Sequence, residues 1–220
     1  MTDLTCAIGD IHGCRPMLEA LLDRCLRYAG GRTLRLVFLG DYIDRGPDSH
    51  GVIARLMALQ ELNPGEVVCL RGNHEVILLD TVASGDHRQW FVNGGEATPA
   101  SYGVATVREL PAEHLRWFAS LPASFDDGSR FFVHAGVNPD RPLDDQNERD
   151  LAWIREPFLS RAHDYGRLIV HGHTPQRNGR PDQRRWRLNL DTAAVYGGRL
   201  TAAFFNDEQR DPIAFLNDLS

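Results

Sequence analysis

The sequence predicts an α/β fold, on three observations. Short apolar runs recur along the chain, each of strand length. Between them lie segments whose apolar residues return at helical spacing. Hydrophobic residues make up 42% of the 220 positions and charged residues 25%, so a sizeable core can form.

Leu4 to Ile8 is the first strand, and it runs into Gly9-Asp10-Ile11-His12-Gly13. Asp10 and His12 are two apart, so in an extended segment both point the same way and can reach one cation. Taken alone, the pentapeptide also reads as a polar turn entering a helix. That helix runs from about Arg15 to Tyr28, with Leu18, Leu21, Leu22, Cys25 and Leu26 on its core face. Pro16 suits its first turn and Gly30-Gly31 stops it.

Leu34 to Leu39 is a buried strand that ends in Gly40-Asp41-Tyr42-Ile43-Asp44-Arg45-Gly46. Two carboxylates and a guanidinium fenced by glycines stand at the carboxyl end of a strand, where open α/β sheets place their ligands. Asp41 is expected to bridge two metal ions and Arg45 to hold a phosphate above them. Asp48 or Ser49 can cap a helix carrying Val52, Ile53, Leu56 and Leu59, and Asn63-Pro64-Gly65 is a turn.

Val67 to Leu70 is the third strand, ending in Arg71-Gly72-Asn73-His74-Glu75. In an extended stretch Asn73 and His74 face opposite ways, one for a metal and the other for a substrate. Glu75 reads as a helix-start carboxylate and Arg71 as a structural pairing residue. Residues 76–83 read as a helix, and Ser84 to Gly103 as a helical insertion or a cap beside the site. Pro111 to Leu121 is a helix with Leu115, Phe118 and Ala119 inward, ended by Pro122.

Ser129 to Val133 is the fourth strand and ends in His134-Ala135-Gly136. An acidic loop at Leu143 to Asn147 and a short helix or turn from Leu151 follow. Leu168 to Val170 is the fifth strand, ending in His171-Gly172-His173-Thr174-Pro175. The arginine-bearing tract from Arg177 to Arg187 reads as a solvated hairpin surface. Arg187 to Asp191 and Leu200 to Phe205 are the last two strands, joined by a turn at Gly197-Gly198.

A formal net charge of −6 advertises no broad nucleic-acid surface. No apolar run approaches the roughly 18 residues of a membrane span, and Met1 to Thr5 lacks a secretory start. A cytoplasmic protein is expected. Cys6, Cys14, Cys25 and Cys69 show no CxxC spacing and read as reduced residues, with Cys14 in a loop lining the site. No repeat or linker divides the chain.

Five strand ends thus carry metal-capable groups: Asp10/His12, Asp41/Asp44, Asn73/His74, His134 and His171/His173. Five of the nine histidines lie in these clusters. Carboxylate, imidazole and amide oxygen without thiolate favour manganese, iron or zinc, and the set is too rich in nitrogen for calcium. Few carboxylates are available, so one is shared, and Asp41 is the natural bridge. Two ions roughly 3.5–4 Å apart would deprotonate a bridging water and clamp phosphoryl oxygens in an in-line displacement.

GDIHG, GDYIDRG, GNHE, HAG and HGHTP, with LDTAAVYGGRLTA near the end, resemble the phosphoprotein phosphatase branch of the calcineurin-like metallophosphoesterases, bacterial and lambda-phage type. The resemblance implies a two-sheet α/β/β/α sandwich, one catalytic domain over 1–220, with cap and cleft-wall elements within 84–150. It implies two divalent metal ions, manganese first, with iron or zinc as the other candidates. Asp10, His12 and Asp41 would bind one, and Asp41, Asn73, His134 and His173 the other. His74 would be the general acid, oriented by Asp44. Arg45 and Arg155 would grip the phosphate. The family pattern leaves His171 outside the ligand set, as a supporting residue or a satisfied strand-end histidine.

The activity expected is hydrolysis of phosphoserine and phosphothreonine in proteins, a reading that Asp44 supports. A dinucleoside polyphosphate hydrolase of the diadenosine tetraphosphate type is the alternative, the difference lying in the cleft walls at 84–103 and 138–150. A non-catalytic module recognising phosphorylated partners is the remote alternative; every expected site position is occupied. The partners are therefore phosphoproteins or dinucleoside polyphosphates, with no nucleic acid or membrane.

Overall fold

A computed structural model describes residues 2–219. In its first half the elements are β1 (Leu4–Ile8), α1 (Arg15–Ala29), β2 (Leu34–Phe38), α2 (Ser49–Leu62), β3 (Val67–Cys69), α3 (Asn73–Ser84), α4 (Arg88–Val92) and α5 (Ala97–Tyr102). The second half adds α6 (Ala112–Ser120), β4 (Ser124–Asp126), β5 (Arg130–Val133), α7 (Glu148–Trp153), β6 (Leu168–His171), β7 (Asp182–Gln183), β8 (Arg187–Asn189), β9 (Thr201–Phe205) and β10 (Ala214–Asn217).

Two five-stranded sheets result, ordered β10-β9-β1-β2-β3 and β4-β5-β6-β8-β7. Within them β1, β2 and β3 run parallel, as do β5, β6 and β8. Side chains alternate across a strand, so each central strand needs two covered faces. Ala7, Val37, Leu39 and Phe205 of the first sheet meet Phe132, Leu168, Val170 and Leu188 of the second. Cys6, Ile8 and Phe38 face the other way, against Leu18, Leu21, Val52, Ile53 and Leu78 of the helices. On the second sheet's outer face Phe131, Val133 and Ile169 lie under Leu151 and Phe158. The expected α/β/β/α sandwich is therefore present. Among the described residues no helix is long and apolar enough to cross a membrane.

Phe132 is fully buried between the sheets, with ring centroids 5.9 Å from Phe125 and 6.0 Å from Phe205. Phe132→Ala is expected to cost about 3–5 kcal/mol, read from the shift of a urea denaturation midpoint at constant slope.

Several local expectations are corrected. Asn73 and His74 open α3 and are not extended; successive helical residues still diverge, so their side chains separate as required. His12 has φ 45° and sits in a turn, so Asp10 and His12 do not lie on one strand face. The strands at 187 and 201 are not hairpin partners. β8 ends at Asn189 in the second sheet, and β9 pairs with β1 in the first. In α6, Ala119 is exposed and His114 takes a buried position. Arg187 is buried and pairs with Asp182 at 2.8 Å, so the arginine tract is not solvated throughout. Short β4, β7 and β10 carry too little periodicity to be seen in the sequence.

Candidate functional site

Parallel strands of one sheet deliver their carboxyl ends to the same edge. The segments leaving β1, β2, β3, β5 and β6 meet there. The His173 N–H donates to both Asp10 carboxylate oxygens, at 3.2 and 3.1 Å, joining the end of β1 to the end of β6. A Cβ at Gly172 would lie 2.0 Å from Asp10 Oδ1, so this approach requires glycine.

Asp41 occupies the centre. Its Oδ2 lies 3.5 Å from His12 Nε2 and 3.9 Å from His74 Nε2, and its Oδ1 lies 3.4 Å from His134 Nε2. Oδ1 also accepts the His74 N–H in the first turn of α3 at 3.0 Å. Burial alone would raise the Asp41 carboxyl. Against this act the charges that His134, His74, His12 and His173 carry when protonated, and the balance lies below the usual carboxylate range. From below, the Glu75 carboxylate accepts the N–H groups of Asp41, Tyr42 and Gly72, each at 2.9 Å. Glu75 is thus a helix-start carboxylate that also fastens the Asp41 loop. Arg71 pairs with Glu148 at 2.9 Å, as a structural residue should.

The ring tautomers can be deduced. His12 Nδ1 donates to the Ile43 carbonyl at 2.8 Å and His134 Nδ1 to the Leu39 carbonyl at 2.9 Å. Each neutral ring therefore turns an Nε2 lone pair toward Asp41. Burial lowers both groups, His12 to about 3. His134 Nε2 also faces Asn73 Oδ1 at 2.9 Å, and His173 Nδ1 lies 2.8 Å from the same oxygen. A lone pair on His134 packed against amide and carboxylate oxygens is unfavourable unless a cation lies among them. Among the described residues two sets of buried groups could each hold a metal ion: His12, Asp41 and His74, and Asp41, His134 and His173. Asp41 belongs to both.

His74 joins the first set by position, but its environment favours another state. Its Nδ1 lies 2.6 Å from Asp44 Oδ2, and its Nε2 is buried without a hydrogen-bond partner among the described residues. Burial alone would lower its pKa; the carboxylates of Asp41 and then Asp44 outweigh this and raise it. A protonated imidazole has no lone pair for a metal but has an Nε2 proton to give. Burial pushes the Asp10 carboxyl up, and the charges of Asp191 and Asp41 add to it.

Arg45 Nη1 lies 2.6 Å from His12 Nε2, and Arg155 Nη2 donates to the His173 carbonyl at 3.3 Å. One arginine therefore stands on the His12 side and one on the His173 side. Among the described residues six non-glycine positions have positive φ, and five of them are His12, Asp41, Asp44, Arg45 and His173. Such backbone persists where surrounding contacts impose it, characteristically at functional sites. His171 points away from this edge. Its ring lies 5.1 Å from Phe158, and burial lowers it to about 3. Cys14 caps α1, and burial pushes its thiol up to about 11, far from a reactive thiolate.

Sequence reasoning missed the groups that hold Asp44. Trp90 Nε1 donates to both of its oxygens at 3.1 and 3.0 Å, and Thr98 Oγ1 donates to Oδ1 at 2.6 Å. Both come from the 84–103 insertion, where no spacing marks them. Asp191 was also missed; it is buried beside the site and raised to about 6 by that burial.

The model of a family described as Calcineurin-like phosphoesterase matches residues 5–205. Serine/threonine-protein phosphatase 1 of Salmonella typhimurium is 33% identical over 208 residues, covering 89% of each chain. An asymmetrical bis(5'-nucleosyl)-tetraphosphatase, PrpE of Anoxybacillus flavithermus, is 31% identical over 89% of this chain and 87% of its own. Among solved structures, a candidate diadenosine tetraphosphatase superposes with a TM-score of 0.73 at 26% identity, covering 99% of this chain and 94% of that one.

Proposed function

The chain belongs to the calcineurin-like phosphoesterases, and from that premise we propose that it hydrolyses phosphoserine and phosphothreonine monoesters in proteins. The observation that carries this reading is the buried His74–Asp44 pair at 2.6 Å, with Trp90 and Thr98 fixing Asp44. A serine or threonine oxygen leaves as an alkoxide, a strong base that must be protonated as the bond to phosphorus breaks. A nucleotide leaves as a phosphate anion and needs little such help. An oriented imidazole with raised proton affinity suits the first task. The name of the Salmonella relative supports the same class.

In this reading Asp10, His12 and Asp41 hold one divalent ion, and Asp41, Asn73, His134 and His173 the other. Manganese is the proposed metal, with iron or zinc as alternatives of similar ligand preference. When bound, the pair would supply Lewis acidity and lower the pKa of water. The chain's own residues do the rest. Arg45 and Arg155 grip phosphoryl oxygens from opposite sides, and the planar guanidinium suits that geometry. His74 Nε2 gives its proton to the leaving oxygen. Asp44 keeps the ring oriented and stabilises its charged form. We take residues 1–220 as one catalytic unit in a cytoplasmic setting, where the four free cysteines stay reduced.

The second reading, a dinucleoside polyphosphate hydrolase, draws on the Anoxybacillus relative and the 26% identical structure. Manganese-reconstituted protein is expected to release phosphate from phosphoserine peptides faster than it cleaves diadenosine tetraphosphate. Inert phosphopeptides beside rapid cleavage of the dinucleotide would reverse the assignment.

A further inference from the structure

Beyond the candidate metal centre, the loop after His173 and the loop after β8 enclose a groove of about 520 Å³. Arg177, Arg180 and Arg199 line it with Ala193 and Tyr196, and no carboxylate does. All three arginines are exposed, and none of their guanidiniums has a partner among the described residues. Several other surface arginines are matched to acids, as in Arg71–Glu148, Arg88–Asp86 and Arg167–Asp126. In a chain of net charge −6, three unmatched cations along one groove make a local positive field that attracts anions.

The groove begins where the phosphate grip ends. The Arg45 guanidinium lies 5.6 Å from the centroid of the Tyr196 ring, which lines the groove and is 60% exposed. Arg177 is four residues beyond His173, and its loop is pinned by the Gln176 N–H donating to the Asp191 carbonyl at 2.8 Å. The Ala193 N–H donates to Asp191 Oδ1 at 3.1 Å, so both walls hang from one buried residue. We propose that this groove is a second anion subsite, which takes acidic or phosphorylated side chains flanking the target phosphoresidue of a polypeptide substrate. The proposal rests on the protein phosphatase reading above. An extended peptide advances about 3.3–3.6 Å per residue, so neighbours two to four positions from the phosphoresidue lie roughly 7–14 Å from it.

The test uses metal-reconstituted protein and two phosphoserine peptides of equal length. One carries glutamate at the two to four positions on either side of the phosphoserine, and the other carries glutamine there. The wild-type protein is expected to prefer the glutamate peptide through KM, and the preference should shrink as salt rises. In the Arg177→Gln, Arg180→Gln, Arg199→Gln variant the ratio of kcat/KM between the two peptides is expected to fall about tenfold, again through KM. A wild-type protein that turns over both peptides alike at low salt would overturn the subsite alone. So would a variant whose preference is unchanged. Failure of both peptides in the wild-type protein would remove the phosphatase reading and the subsite with it. A variant that raises KM for diadenosine tetraphosphate while keeping the glutamate preference would give the groove to a nucleotide, against the proposal.

Discussion

His74→Asn is expected to lower kcat on a phosphoserine peptide by about 10²–10⁴-fold, the usual contribution of a positioned general acid. With p-nitrophenyl phosphate the loss should be under about tenfold, because that leaving group departs without a proton. The contrast matters more than either number. A general structural defect would lower both substrates together. A pH profile gives a second check. Asp41 and Asp44 together raise His74 against the opposing effect of burial, so its acid form persists above the ordinary 6.5. Turnover requiring that proton should fall as pH rises through the raised value, and His74→Asn should lack this alkaline limb. Equal losses on both substrates, or an unchanged limb, would take His74 out of the acid role.

Asp41→Asn is expected to empty both proposed metal positions at once. The carboxylate lies within 3.5 Å of His12 Nε2 and 3.4 Å of His134 Nε2, and it belongs to both candidate ligand sets. Substitution removes the one negative charge common to them while leaving shape nearly intact. Metal affinity should fall by more than the about 10–100-fold that loss of a supporting partner costs. Metal analysis after dialysis checks this without any assay of turnover. Retention of two equivalents per chain would contradict the bridge. Loss of one alone would assign Asp41 to a single ion.

How far the site was legible follows from how each residue declares itself. Asp10, Asp41, Asn73, His134 and His173 each lie within three residues of the end of an apolar run, so strand periodicity singled them out as candidates, and the ordered motifs supplied the resemblance. The backbone conformations did not follow from the pattern. His12 and Asp41 adopt positive φ in loops tied to one another and to α3: the His12 N–H donates to the Asp41 carbonyl and the Asp41 N–H to Glu75, each at 2.9 Å. Trp90 and Thr98 lie 46 and 54 residues from Asp44 in an insertion without periodicity, and nothing local announces their hydrogen bonds. Arg177 and Arg180 read as solvated surface charge within their tract, and nothing in the sequence singles out Arg199, because the absence of opposing acids is a property of the fold.

By itself the sequence determined the alternation of strands and helices, the polar groups at each strand's carboxyl end and the chemical types available for metal and phosphate. These are properties of short segments, set by periodicity and side-chain chemistry. Only the tertiary structure decided that β8 and β9 enter different sheets, which imidazole nitrogens face Asp41, and that His74 is held by Asp44 while Asp10 is held by His173. Those outcomes depend on distances between segments remote in the chain, and packing of the two sheets against each other sets such distances.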